Sequence, residues 1–252
     1  MDDWQPTLYR NKHAFVFQKG ASLVDLLSPK PFELVLDFGC GTGELTEQVS
    51  RSGCFVIGVD ISRAMTCAAK QAFPLVDFVV ADGRQLCFRC VFDSVYSNAV
   101  LHWICQPLQL LQNIYDCLLP GKPFVAEFGG EGNVESITTA LSLATEKHTG
   151  RKWAPSKWYF PKQSSFEELL EKTGFTVTFS AYFDRPTKLQ DGFQGLRNWI
   201  SMFCPEISRE YSAEEYEEIL STVEKDLQCS KLFDGTNWFA DYKRLRVVAL
   251  RR

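Results

Sequence analysis

Leu34-Val35-Leu36-Asp37-Phe38-Gly39-Cys40-Gly41-Thr42-Gly43 is the stretch on which the reading of this chain turns. An apolar run with one acid leads straight into three glycines at alternate positions. A parallel strand covered by helices on both faces reads this way, because it needs no polar alternation. Glycine supplies the positive φ of a tight turn, and without a side chain it lets a ligand approach the backbone. Ligands of open α/β sheets bind at the carboxyl ends of the strands. A binding site is therefore expected just past Phe38.

Working outward, residues 44–52 fit a helix, and Cys54 to Val59 form a second apolar run ending at Asp60. Ser62 is the expected N-cap of a helix through Ala72. Val76 to Val80 form a third run ending near Asp82, and Val91 to Tyr96 a fourth. Leu108, Leu111, Ile114, Tyr115 and Leu118 keep helical spacing up to Pro120-Gly121, and Pro123 to Phe128 form a fifth strand. Farther on, Phe166 to Lys172 read as a helix, Phe175 to Phe183 as a strand and Phe239 to Leu250 as a last strand. Strands alternating with helices predict a parallel sheet with helices on both faces and right-handed crossovers. The expected fold is thus a doubly wound, Rossmann-like α/β sheet, mostly parallel with the last strand antiparallel, carrying a C-terminal helical insertion. The expected organisation is one domain over 1–252. Residues 1–30 form an N-terminal lid, 31–184 and 237–252 the core, and 185–236 a helical cap over the sheet's edge. Within that cap Tyr216, Ile219, Leu220, Val223 and Leu227 keep helical spacing.

The chain has 252 residues, 45% of them hydrophobic and 23% charged, with a formal net charge of −4. That balance argues against a nucleic-acid partner, because neutralising phosphates takes clustered Lys and Arg. Nine cysteines are scattered, an odd number, and the Cys87-x-x-Cys90 pair has no second pair to complete a zinc site. Free thiols, no metal, and a reducing, cytoplasmic setting follow. The N-terminus lacks a signal pattern, and no apolar stretch reaches the roughly 18 residues a membrane helix needs.

Asp60 ends the second strand, where an acid accepts hydrogen bonds from ribose hydroxyls. The dinucleotide fingerprint would place a third glycine where Glu44 stands. Asp37 and Glu44 beside a pyrophosphate would repel it. A phosphate-free ligand carrying an ammonium and a sulfonium suits these acids better, which favours S-adenosylmethionine over NAD or FAD.

With Val35 to Gly43, Asp60, Asp82 and Asn98-Ala99-Val100-Leu101-His102-Trp103 in view, the chain resembles class I S-adenosylmethionine-dependent methyltransferases. More narrowly it resembles the trans-aconitate 2-methyltransferase type and its small-molecule relatives. Trp4-Gln5-Pro6-Thr7-Leu8-Tyr9 and Trp158-Tyr159-Phe160-Pro161 are similar to that group as well. The likeness is specific over residues 34–133. The chain departs from the group at Gly129-Gly130-Glu131-Gly132-Asn133, after the fifth strand and close to where the acceptor should lie.

The resemblance implies residue roles. Asp37, Gly39, Cys40, Gly41 and Gly43 would line the methionine moiety. Asp60 would hold the ribose, Ile61 would pack on the adenine, and Asp82 with Gly83 would meet the adenine amino group. Asn98 would face the methionine part or the reacting methyl. A lid carrying Tyr9, His13 and Phe17 would close over the cofactor. Trp103, Tyr159, Arg197, Trp199 and Tyr242 are candidates for the acceptor pocket, and the aromatics among them are also readable as core, the slightly favoured reading since aromatics bury readily. His102 either orients the acceptor or is a satisfied polar residue beside Trp103.

The expected activity is methyl transfer to a small molecule. A carboxylate acceptor would already be anionic and need no general base. Arg151, Lys157, Arg197, Tyr159 and Tyr242 would then hold the acid. An amine or hydroxyl acceptor is the alternative, and His102 or Glu127 would then act as base. A non-catalytic S-adenosylmethionine-binding module is a further reading. A nucleic-acid or protein methyltransferase on the same fold is disfavoured by the net charge and by the lack of an N-P-P-Y-type motif after the fourth strand. The oligomeric state is open, a monomer being compatible with the sequence.

Overall fold

The computed structural model describes residues 22–155 and 158–252, with Pro6 ahead of them. The described elements are a helix α1 over 22–27, β1 Leu34–Phe38, α2 Glu44–Ser50, β2 Phe55–Asp60, α3 Arg63–Ala72, β3 Asp77–Val80, β4 Ser94–Asn98, α4 Pro107–Cys117 and β5 Pro123–Gly129. There follow α5 Glu135–Thr149, α6 Gln163–Thr173, β6 Phe175–Lys188, α7 Gly195–Phe203, α8 Pro205–Glu210, α9 Ala213–Gln228 and β7 Phe239–Arg251.

Seven strands form one sheet in the order β3-β2-β1-β4-β5-β7-β6. β1 to β5 run parallel, and β7 pairs antiparallel with β5. This is the expected mostly parallel, doubly wound sheet with an antiparallel last strand. The strand order reverses between β1 and β4, so the crevice expected for a ligand opens at their carboxyl ends. β6 lies at the edge, which is why it accommodates Pro186, a residue with no N–H for a neighbouring strand.

Successive strand residues point to opposite faces, and the sheet buries both. Leu36, Phe38, Val95, Phe124 and Phe128 pack with Leu110, Leu111 and Ile114 of α4 and with Phe166 and Leu170 of α6. Val35, Val56, Tyr96 and Val125 pack on the other side with Leu23, Val24 and Leu27 of α1 and with Leu45 and Val49 of α2. Asp37 falls in register with Tyr96 on that second side. Ser62 caps α3 as expected, its hydroxyl accepting from the Met65 N–H. The fourth strand begins at Ser94 rather than Val91, and Phe92 makes only an isolated bridge to Leu118.

The chain divides into two compact units. The first comprises the described parts of Met1–Glu131, Trp158–Phe183 and Arg244–Arg252, and the second those of Gly132–Lys157 and Asp184–Lys243. The second unit holds the helices expected over 185–236, and it also holds α5, which the sequence reading left unassigned. α5 buries Ile137, Ala140, Leu141 and Ala144, and the His148 ring bridges Glu218 (3.1 Å) and Thr222 (2.8 Å) of α9. A capping box of Ser212 and Glu215 starts α9, which buries Ile219, Leu220, Val223 and Leu227. All nine cysteines carry free thiols. Among the described residues no helix is long and apolar enough to cross a membrane.

Candidate active site

The glycine loop leaves β1 at Phe38. The N–H groups of Gly39 and Cys40 donate to the Val59 carbonyl (2.7 and 3.0 Å), which pins the turn to β2. Gly39 takes φ +80°, and a Cβ there would sit 2.1 Å from Val100 Cγ2, so no other residue fits. Gly41 also has positive φ (+55°), but a Cβ there would meet nothing within 4 Å. Gly39 therefore serves packing, and Gly41 opens the backbone onto space at the sheet's ligand-binding end.

Two acids border that space. Asp60 Oδ2 accepts from the Gly41 N–H and its Oδ1 from the Ser62 N–H, both at 2.9 Å, so the carboxylate braces the loop it faces. Asp37 is 3% exposed. Thr46 Oγ1 and Tyr96 Oη both donate to its Oδ2 at 2.6 Å. Burial pushes its carboxyl up to about 7, the two hydroxyl donors pull the other way, and the negative charge of Asp60 adds to the rise. An acid whose proton affinity is raised by burial and a neighbouring acid is relieved by a cation and aggravated by a phosphate. The residues present thus fit a ligand with an ammonium and a sulfonium. Ile61, next to Asp60, is 60% exposed, an apolar surface in the place expected for an adenine face.

Asp82 and Gly83 stand at the end of β3, and each has an engagement the sequence did not reveal. Asp82 accepts from the Arg84 N–H (2.9 Å) and pairs with its guanidinium (2.6 Å), which holds its carboxyl below the usual range. A Cβ on Gly83 would collide with the Phe38 ring, and the Gly83 carbonyl accepts from Asn113 Nδ2 at 3.1 Å. Asn98 ends β4, and Ala99 follows with φ +59°, its N–H donating to the Glu127 carbonyl at 2.7 Å.

His102 lies in a short turn over Leu101–Trp103, at the carboxyl end of β4, and is buried. Its Nδ1 accepts from the Gly129 N–H at 3.2 Å. Burial, and secondarily the positive charge of Arg244, hold the imidazole well below its ordinary pKa. It is therefore neutral, and with Nδ1 accepting, its proton resides on Nε2. That makes His102 a hydrogen-bond donor. Trp103 and Phe160 pack against it with ring centroids 5.4 and 5.6 Å away, and Trp158 packs on those two rings at 5.8 and 5.5 Å. Tyr159 packs against the core, and its N–H donates to the His102 carbonyl at 2.8 Å.

Glu127 departs from the part expected of it. It is 2% exposed, and Arg246 donates to its Oε2 from Nε (2.7 Å) and from a terminal nitrogen (2.5 Å). An ion pair with Arg246 thus stands where the sequence suggested a general base. Arg197, Trp199 and Tyr242 lie in the second unit. Arg197 is gripped by both oxygens of Glu224 (2.8 and 2.9 Å) and by Glu217 (2.7 Å), which offsets the charge expected to meet an acid. Trp199 Nε1 donates to Tyr242 Oη at 2.6 Å, and both residues are buried there as core. Tyr9, His13, Phe17 and Lys157 lie outside the described residues. Arg244 was not expected from sequence. It sits among Lys243, Leu245 and Arg246 and gains a place only when β7 pairs with β5 and sets it opposite Gly129.

Residues 36–126 match the family described as a methyltransferase domain. The chain is 28% identical over 262 residues to an uncharacterized methyltransferase of Schizosaccharomyces pombe, covering 98% of each chain. It is 28% identical over 264 residues to the trans-aconitate 2-methyltransferase of Deinococcus radiodurans, again covering 98% of each. Among solved structures, a candidate methyltransferase of Bacillus halodurans C-125 superposes with a TM-score of 0.65 at 16% identity, covering 93% of this chain and 99% of that one. Phosphoethanolamine N-methyltransferase 2 of Haemonchus contortus, solved with S-adenosylhomocysteine, superposes with a TM-score of 0.57 at 20% identity, covering 93% of this chain and 53% of that one. These last two likenesses concern the fold.

Proposed function

We propose that the chain is a class I S-adenosylmethionine-dependent methyltransferase that methylates the carboxylate of a small-molecule acid. The observation that carries this reading is the state of the two groups best placed to act as bases. His102 is neutral with its proton on Nε2, and Glu127 is bound by Arg246. An amine or hydroxyl acceptor needs a proton removed, whereas a carboxylate arrives as an anion. The full-length likeness to a trans-aconitate 2-methyltransferase supports the same acceptor class.

In this reading Asp37 and the loop Gly39-Cys40-Gly41 hold the methionine end of the cofactor, and Asp37 meets its ammonium. Asp60 takes the ribose, with Ile61 against the adenine. Asp82 and Gly83 border the far end of the adenine, Asp82 sharing its carboxylate with Arg84. Asn98 and the His102 turn face the reacting end. The bound cofactor supplies an activated methyl group on a sulfonium. The protein supplies orientation, which is worth about 7–11 kcal/mol when reacting atoms are held in line. The aromatic ring cluster of Trp103, Trp158 and Phe160 excludes water beside His102. The compartment proposed is cytoplasmic, from the free thiols.

Methyl transfer to a panel of small acids and to their primary amides tests the proposal. The acids alone should be turned over, with a rate that shows no base titration between about pH 6 and 9. Turnover of the amides or matched amines, with a rate rising through a base pKa, would overturn it.

A further inference from the structure

β7 carries two arginines on one face, because Arg244 and Arg246 are two residues apart. Opposite Arg246 the neighbouring strand supplies Glu127, and the two form an ion pair. Opposite Arg244 it supplies Gly129, whose N–H donates to His102 Nδ1. Arg244 is 7% exposed and stands one step farther toward the carboxyl end of β5, where parallel strands of such sheets present their ligands. Its charge is felt at the imbedded imidazole, which it helps keep neutral. A guanidinium and a neutral Nε2–H donor thus occupy one corner of the first unit.

We propose that Arg244 is the acceptor-selecting residue, its guanidinium fork gripping a carboxylate of the acceptor at the end of β5 with His102 beside it. The inference rests on the carboxylate reading above and goes beyond it in naming the residue and its chemistry. Guanidinium and carboxylate pair through two parallel N–H···O bonds, a planar match that an ammonium or a neutral amide lacks. Such pairing draws electron density from both oxygens, so the gripped carboxylate is the poorer nucleophile. The methyl group therefore goes to a second carboxylate of the same acceptor. At that carboxylate the carbon–oxygen bond of the ester forms as the methyl–sulfur bond breaks, and the sulfonium leaves as a neutral thioether.

The test uses the full chain saturated with S-adenosylhomocysteine, and tryptophan fluorescence as the readout, since Trp103 packs against His102 and Trp158 against Trp103. The probes are trans-aconitate, succinate, the half-amide of succinate and succinamide. In the wild type the half-amide, which keeps one carboxylate for Arg244, should bind about tenfold or more tighter than succinamide, the ratio expected of a charge-assisted pair. Arg244→Gln should bring that ratio to near one and leave S-adenosylhomocysteine affinity unchanged. Arg244→Lys, which keeps the charge but not the fork, should give an intermediate ratio and provides a second variant should the glutamine one fold poorly. A ratio retained in Arg244→Gln would overturn the role of Arg244 while leaving the carboxylate reading intact. Equal binding of succinate and succinamide by the wild type would overturn both.

Discussion

Asp37→Asn should stabilise the protein and disarm it at once. In the folded chain the carboxyl is buried and titrates at about 7, against 3.8 for an ordinary aspartate. The folded state therefore holds a proton that the unfolded chain has released, and between those two values stability falls as pH rises. The contribution is fully present below pH 3.8 and lost once pH has risen through about 7. That gap, at about 1.4 kcal/mol per pH unit, comes to about 4 kcal/mol. Asparagine keeps an oxygen to accept from Thr46 and Tyr96 and has no charge to bury. Denaturant unfolding of wild type and variant at a series of pH values isolates the effect, because every other group titrates in both. The stability of Asp37→Asn minus that of wild type should grow by about 3–4 kcal/mol from about pH 4 to about pH 8. Calorimetry on the same pair should show cofactor affinity in the wild type rising with pH until about 7 and then levelling, as the ionised acid becomes available to the ammonium. The variant should lose that dependence and bind about 10- to 100-fold more weakly at about pH 8. A stability difference that stays within about 1 kcal/mol across the range would refute the argument.

The two loop glycines should separate stability from binding. Gly39→Ala drives a methyl into Val100 and should lower the melting temperature sharply, whereas Gly41→Ala should cost about 1–2 kcal/mol of backbone strain and abolish cofactor binding in a calorimeter. Asp60→Ala removes the acceptor for the Gly41 and Ser62 N–H groups as well as the proposed ribose contact. Its cofactor affinity should fall by more than about tenfold, and unchanged affinity would remove Asp60 from the site. Tyr242→Phe leaves the buried Trp199 indole N–H without its acceptor and should cost about 1–3 kcal/mol in unfolding, with cofactor affinity unaltered.

The half of the site proposed for the cofactor was legible because its signals are local. A strand, a glycine turn and an acid at the end of the next strand are all written within residues 34–60, and the sheet brings them together through adjacent parallel pairing. The acceptor half was less legible because its partners are distant. Glu127 reads as a candidate base until Arg246, 119 residues later, closes on it. Arg244 reads as one charge in a polar stretch, and only the antiparallel register with β5 gives it a neighbour. His102 has no readable role until Gly129 fixes its tautomer. α5 escaped because half of its buried stripe, Ile137, Ala140, Leu141 and Ala144, is alanine, and the stripe is diluted by Ser and Thr. Tyr242 and Trp199 looked like pocket aromatics because sequence does not distinguish a buried aromatic with a hydrogen-bond partner in the core from one lining a cleft.

On the carboxylate proposal the transferred methyl ends on a carboxylate oxygen. Incubating the protein with methyl-labelled S-adenosylmethionine and a heat-treated cell lysate, then fractionating the label, tests it without choosing an acceptor in advance. Label is expected in a small acid, released as methanol by mild alkali, as an ester requires. Label that resists alkali on nitrogen or an ether oxygen, or that travels with RNA or protein, would contradict it.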